Sequence, residues 1–231
     1  MTRWLQGRLK PGDTFVDVGA NIGYYSVLAA GLVGAEGRVV AIEASPAFHQ
    51  RLLQHTQLNG CDNVRAVNGA VSDSRKTLTF VLASSANMGA NSIVPYDGPA
   101  ESSFDIEALP LPELLTAEEI ASARMIKIDV EGAEGPVVRG MVPLLDKLRP
   151  DAEITVEVTP DRMALLGDSA EELLRTMRDH GFHVYRLAND YAPESYPAAI
   201  RNKAVVPVRW RGPLDGESDL IFSRIDAETL S

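Results

Sequence analysis

One cysteine, Cys61, stands in 231 residues. That scarcity excludes an internal disulfide and any thiolate metal cage, and a reducing, cytoplasmic compartment is the simpler expected home. Cations are scarce as well: 22 Lys and Arg face 32 Asp and Glu, a formal charge of −10. A sequence-blind grip on nucleic acid needs a basic face, so no nucleic-acid partner is expected. The basic residues that do cluster, Arg8 with Lys10 and Arg209 with Arg211, read as solvated surface. Long apolar runs are also missing, since no stretch reaches the about 18 residues that suggest a membrane span. Pro11-Gly12 interrupts the N-terminal region before a signal-peptide core can form, and no membrane insertion is expected.

What is present is a rhythm. Apolar segments at 14–18, 38–43, 63–67, 124–132, 152–160, 182–187 and 219–224 alternate with helical patterns at 22–33, 46–59, 112–121, 134–146 and 169–180. A short leading helix is expected within residues 1–12, and further extended segments at 76–83 and 104–108. Ser45 followed by Pro46 predicts a capped start for the helix at 46–59, with Phe48, Leu52 and Leu58 turned inward. Nearly continuous apolar strands indicate a sheet covered on both faces, so an α/β, doubly wound, mostly parallel fold in one domain spanning 1–231 is expected. Two segments break the pattern, 84–103 and 189–218. Loops of such length are candidates for acceptor recognition, with Asn91, Tyr96 and Tyr191 as possible contacts.

Three landmarks carry the chemistry. The run "FVDVGANIGYYS" at 15–26 places Gly19 and Gly23 on the turn after a buried strand, where glycine lets bare backbone approach a ligand. Its G-x-N-x-G spelling lacks the G-x-G-x-x-G of a pyrophosphate-binding turn, and Asn21 suits a smaller, carboxylate-bearing ligand held by side-chain and backbone hydrogen bonds. Glu43 ends the second strand, where an acid can accept both hydroxyl protons of a ribose. The third landmark is "IKIDVEGAE", in which alternation sets Lys127, Asp129 and Glu131 on the face opposite Ile126, Ile128 and Val130. If that strand abuts the first, Asp129 and Glu131 emerge beside the glycine turn. His49 and His55, six residues apart, do not make a metal pair, and no metal site is expected. His183 reads as a structural histidine.

With these landmarks in place the chain resembles the FkbM family of S-adenosylmethionine-dependent methyltransferases. The segments that carry the likeness are "FVDVGANIGYYS", "VVAIEASPAFHQRLLQHTQLNG", "NGAVSD", "IKIDVEGAEGPVVRGM" and "DLIFSR", in order over residues 11–224. The resemblance implies a class I Rossmann-like fold with a seven-stranded sheet and S-adenosyl-L-methionine as cofactor. It implies O-methylation of a small-molecule or sugar acceptor, in secondary-metabolite or glycan biosynthesis. By the matched segments Gly19, Asn21 and Gly23 surround the methionine part, Glu43 the ribose, and Ser72 with Asp73 the adenine end, with Asp17 and Asp129 also expected among the cofactor-binding residues. Asp129 and Glu131 border the reaction centre as candidate catalytic groups. Two rivals remain. A nicotinamide-dependent oxidoreductase shares the strand, turn and acid but is disfavoured by the missing glycine pattern and the "DVEG" strand end. A non-catalytic nucleoside-binding domain is open because fold alone does not prove turnover.

Overall fold

The computed structural model describes residues 1–82, 91–92, 102–189 and 205–231. In chain order the elements are α1 (Thr2–Arg8), β1 (Thr14–Val18), α2 (Tyr24–Val33), β2 (Arg38–Glu43), α3 (Pro46–Leu58) and β3 (Val64–Asn68). Next come β4 (Ala70–Val71), β5 (Lys76–Leu82), β6 (Asn91–Ser92), β7 (Ser102–Leu109), α4 (Leu111–Leu114), α5 (Ala117–Ser122), β8 (Ala123–Ile128) and α6 (Glu134–Leu145). The chain ends with β9 (Glu153–Val158), α7 (Pro160–Leu165), α8 (Ala170–Asp179), β10 (His183–Leu187), β11 (Val208–Arg209) and β12 (Ser218–Ser223).

The main sheet runs in the order β11-β10-β12-β9-β8-β1-β2-β3. It has eight strands among the described residues, one more than expected, because the two-residue β11 joins the outer edge of β10. It is also mixed: β3, β2, β1, β8 and β9 pair in parallel, whereas β12 lies antiparallel between β9 and β10. Strands β1 and β8 are buried along their whole length, as central strands of a sheet covered on both faces, and charged Asp17 and Lys127 stand among their apolar residues near the strand ends. On one face Val16, Val40, Ile126, Ile154 and Leu220 pack against α6 and α8. On the other, Phe15, Val39 and Met125 pack against α1 and α2. Connections leave β1 in one direction toward β2 and β3 and in the other toward β8 and β9, so a crevice opens at the carboxyl ends of β1 and its neighbours.

Local signals explain most boundaries. Ser45 caps α3, its hydroxyl accepting from the Phe48 amide with Pro46 in the first turn. Leu58, expected inward, is 82% exposed while Leu52 is fully buried. Six residues turn a helix by about 240°, which carries position 58 off the face shared by Phe48 and Leu52. The helix expected at 112–121 is two helices, because a reciprocal capping box between Thr116 and Glu119 starts a new one after an extended Leu115. The strand expected to reach 132 stops at Ile128: Glu131 and Gly132 adopt φ of 57° and 110°, which turns the chain into α6.

A second sheet, β4-β7-β5-β6, stands beside the carboxyl end of β3. Its core is the antiparallel β5–β7 pair, in which Phe80 opposes Phe104 and the two rings stack 5.4 Å apart. Tyr96, Tyr191 and most of the segments 84–103 and 189–204 lie outside the described residues, and Asn91 is described only as β6 backbone.

Candidate active site

The crevice holds a cavity of about 120 Å³. The tip of β1 contributes Val18, Gly19 and Asn21, β2 contributes Ile42 and Glu43, and the turn after β8 contributes Asp129, Val130 and Glu131. The remaining wall is apolar: Phe48 from α3, Ala70 and Val71 from β4, and Leu78 and Phe80 from β5.

The glycine turn is built for close approach. Gly19 sits at φ 80°, and a Cβ there would fall 1.8 Å from the Asp129 carbonyl oxygen, so no side chain fits between the tips of β1 and β8. The Gly19 and Ala20 amides both donate to the Ile42 carbonyl at 3.0 Å, and the Asp129 amide donates to the Val18 carbonyl at 3.0 Å. Three strand tips are thereby tied together. Glu43 adds a second tie, since its Oε2 accepts from the Asn21 amide at 2.7 Å and its Oε1 from the Ser45 amide at 2.8 Å. Burial pushes the Glu43 carboxyl up to about 7 against the pull of those two donors. Asn21 holds φ 52° with its Oδ1 accepting from the Ile22 amide, and His55 Nδ1 donates to the Ile22 carbonyl at 2.7 Å, anchoring the turn to α3.

Asp129 and Glu131 both border this cavity but differ in surroundings. Burial works against ionisation of Asp129, yet the Lys127 ammonium 2.8 Å away outweighs it and holds the carboxyl below its ordinary value. Lys127 is itself buried, and Asp129 with Asp17, 3.9 Å away, keep it protonated despite that burial. Glu131 has left the strand register and pairs with Arg162; burial raises its carboxyl more than Arg162 lowers it.

Four residues expected around the cofactor do not line the cavity. Asp17 is buried beneath the turn and accepts from the Ser26 hydroxyl at 2.7 Å. A Cβ on Gly23 would meet Leu52, which makes that glycine a packing contact between the start of α2 and α3. Ser72 is buried in the turn after β4, and Asp73 pairs with Lys76 and Arg139, which with a neighbouring hydroxyl hold it at about 2 despite partial burial. The neighbouring Ala70 and Val71 line the wall in their place. His183 opens β10 at the edge of the sheet opposite the crevice. The site roles of Leu78, Phe80 and His55 have no sequence signature, because nothing local announces that β5 folds back over the tip of β2.

The arrangement fits S-adenosylmethionine: a turn whose Gly19 leaves backbone bare, a strand-end carboxylate on the cavity wall, and an apolar wall beside it. Comparison with known proteins agrees. The Methyltransferase FkbM domain matches residues 17–184. The hexuronic acid methyltransferase AglP of Haloferax volcanii is 26% identical over 192 residues, covering 81% of this chain and 76% of that protein. Among solved structures, the methyltransferase FkbM of Methylobacillus flagellatus KT superposes with a TM-score of 0.51 at 16% identity, over 96% of this chain. The present chain spans 50% of that one. A precorrin-6y C5,15-methyltransferase of Geobacter metallireducens GS-15 gives a TM-score of 0.53 at 12% identity, over 97% of this chain and 87% of its own. Those two likenesses speak to fold, while the domain match over most of the chain speaks to family. The chain belongs to the FkbM methyltransferase family and is an S-adenosylmethionine-dependent methyltransferase.

Proposed function

We propose that the protein methylates a hydroxyl oxygen of a small molecule or sugar. When bound, S-adenosylmethionine supplies a methyl group already activated on a sulfonium, for in-line transfer with the sulfur as leaving group. The chain's own residues bind, align and take up a proton. Glu43 accepts the ribose hydroxyl protons, the apolar wall of Phe48, Val71 and Phe80 receives the base, and Gly19 with Asn21 takes the amino-acid end. Asp129 orients the acceptor O–H. Its lowered carboxyl is a weak base, but an oxygen that gains a methyl becomes a far stronger acid than any carboxylic acid, so an ionised carboxylate suffices to receive the proton. Glu131, with a raised carboxyl, is the alternative receiver.

The observation that carries this reading is the meeting of the Gly19 turn, Glu43 and Asp129 around one cavity. The sugar acceptor is supported by the relative that acts on a hexuronic acid. The test is a transfer assay with isotopically labelled methyl donor on monosaccharide and phenolic hydroxyls, with the product bond assigned by NMR. A methyl found on oxygen supports the reading. A methyl found on nitrogen or carbon, or no binding of S-adenosylhomocysteine by the purified protein, overturns it.

A further inference from the structure

A second cavity, of about 70 Å³, lies on the α2 side of the main sheet and shares Asp129 with the first. Its floor follows from strand register. Asp17, Lys127 and Thr155 stand side by side on β1, β8 and β9. Two residues toward the strand tips, on the same face, come Asp129, Glu157 and Asp219, the last two directly paired between β9 and β12. Met1, Tyr25 of α2 and Asn189 complete the wall, and the Asn189 side-chain amide donates to Asp219 Oδ2 at 2.8 Å.

Most of these polar groups are held in place: Lys127 by Asp129 and Asp17, Asp219 by Asn189, and Asp129 by a hydrogen bond with Glu157. Thr155 is different. It is fully buried, lines the cavity, and its Oγ1 has no hydrogen-bond partner among the described residues. A buried hydroxyl without a partner is costly, and an apolar residue of the same shape would fill the position without that penalty. The natural partner is a polar ligand in the cavity.

We infer that this cavity is the acceptor subsite, and that it takes the hydroxyl edge of an uncharged sugar or comparable polyol, with Thr155 bonding one hydroxyl and Asp129 another beside the methyl donor. The inference rests on the proposed O-methylation and adds the acceptor's charge class. Size agrees, since at about 30 Å³ per water-sized group the space holds about two hydroxyls. Charge decides against an anionic sugar. Among the described residues two cations line the cavity, the Lys127 side chain and the Met1 ammonium, against the three acids Asp129, Glu157 and Asp219. The acids outnumber the cations, so a uronate would add its carboxylate to a site already in acidic excess. An ammonium group suits the acids but only donates, whereas the unpartnered Thr155 hydroxyl can both donate and accept. Sugar hydroxyls both donate and accept.

The experiment compares methyl glycosides in matched trios, neutral hexoside, uronide and amino sugar, each in gluco, galacto and manno configuration. Readouts are labelled methyl transfer and saturation-transfer NMR on the protein loaded with S-adenosylhomocysteine. Calorimetric titration of S-adenosylhomocysteine is run alongside on every variant. We expect a neutral hexoside to exceed its uronide in kcat/KM by at least about tenfold. Thr155→Val should raise the hexoside KM about fivefold with S-adenosylhomocysteine affinity unchanged, and Thr155→Ser should restore it. Asp219→Asn should narrow the gap between hexoside and uronide. Preference for a uronide or amino sugar, an unchanged KM in Thr155→Val, or cofactor-product binding with no transfer to or NMR contact from any hexoside would overturn the inference. Failure to bind S-adenosylhomocysteine would instead fault the reading beneath it.

Discussion

On the proposed function, Glu43 is where fold and ligand chemistry compete for the same two oxygens. Both accept backbone amides that hold the Gly19 turn and the start of α3, and the same carboxylate lines the cavity proposed for the cofactor. Removing it should therefore weaken the site twice. Glu43→Ala is expected to lower S-adenosylhomocysteine affinity by at least about tenfold, from the loss of charge-assisted hydrogen bonds. The pH dependence separates the two roles. A carboxyl raised to about 7 by burial is mostly protonated at pH 6 and mostly ionised at pH 8, so affinity should climb about five- to tenfold across that interval if the ionised form is the one that binds. Glu43→Gln should be weak and flat with pH. Calorimetry at the two pH values tests both, and a wild-type affinity that falls with rising pH would remove the ribose assignment.

Helix α6 shows how an element serves the site from outside it. Gly140 lies on α6 where a Cβ would come 1.9 Å from the Ser72 carbonyl oxygen, so the helix presses bare backbone against the turn that follows β4. In an exposed helix, glycine to alanine stabilises by about 1 kcal/mol. Here the collision with fixed backbone should win, and Gly140→Ala is expected to destabilise by about 1–3 kcal/mol in urea unfolding. A gain in stability would show that the turn gives way freely. Such contacts mark the limit of what periodicity reveals. The apolar strands, the cap at Ser45 and the glycine turn are written in neighbouring residues and need no tertiary contact to be recognised. The capping box that splits residues 111–122 is equally local, but its signal lies under a helical pattern that spans both halves. Ser72 and Asp73 look like cavity residues by position in a motif, and become packing and ion-pair residues once α6 arrives from about 70 residues away.

The molecule as a whole carries buried and half-buried carboxyls whose affinities for protons are displaced in opposite directions. Glu134, fully buried and accepting from the Gly132 amide, is pushed up to about 7 by burial, as is Glu43. A raised carboxyl contributes stability that is complete below its unfolded value and is lost as pH rises toward 7. Asp73, held at about 2, does the reverse: its contribution is present above the ordinary carboxylate value and fades as pH falls toward 2. Stability should therefore peak in mild acid and decline toward pH 8. Glu134→Gln should keep the hydrogen bond to Gly132, change stability little at pH 5, and raise it at pH 8 by on the order of 2–3 kcal/mol. Denaturant midpoints at the two pH values measure this, and a variant less stable than wild type at pH 8 would contradict it.

Between local order and long-range assembly the division is physical. Strand and helix periods, the turn glycines and the strand-end acid Glu43 act through residues a few positions apart, and those interactions are legible in the linear chain. The eighth strand, the Phe80 wall and the partnership of Asp129, Glu157 and Asp219 depend on pairings between distant segments. Antiparallel β12 slides between β9 and β10 and brings Asp219 opposite Glu157. Burial and register, properties of the assembled sheet, are what turned scattered acids and one threonine into a cavity.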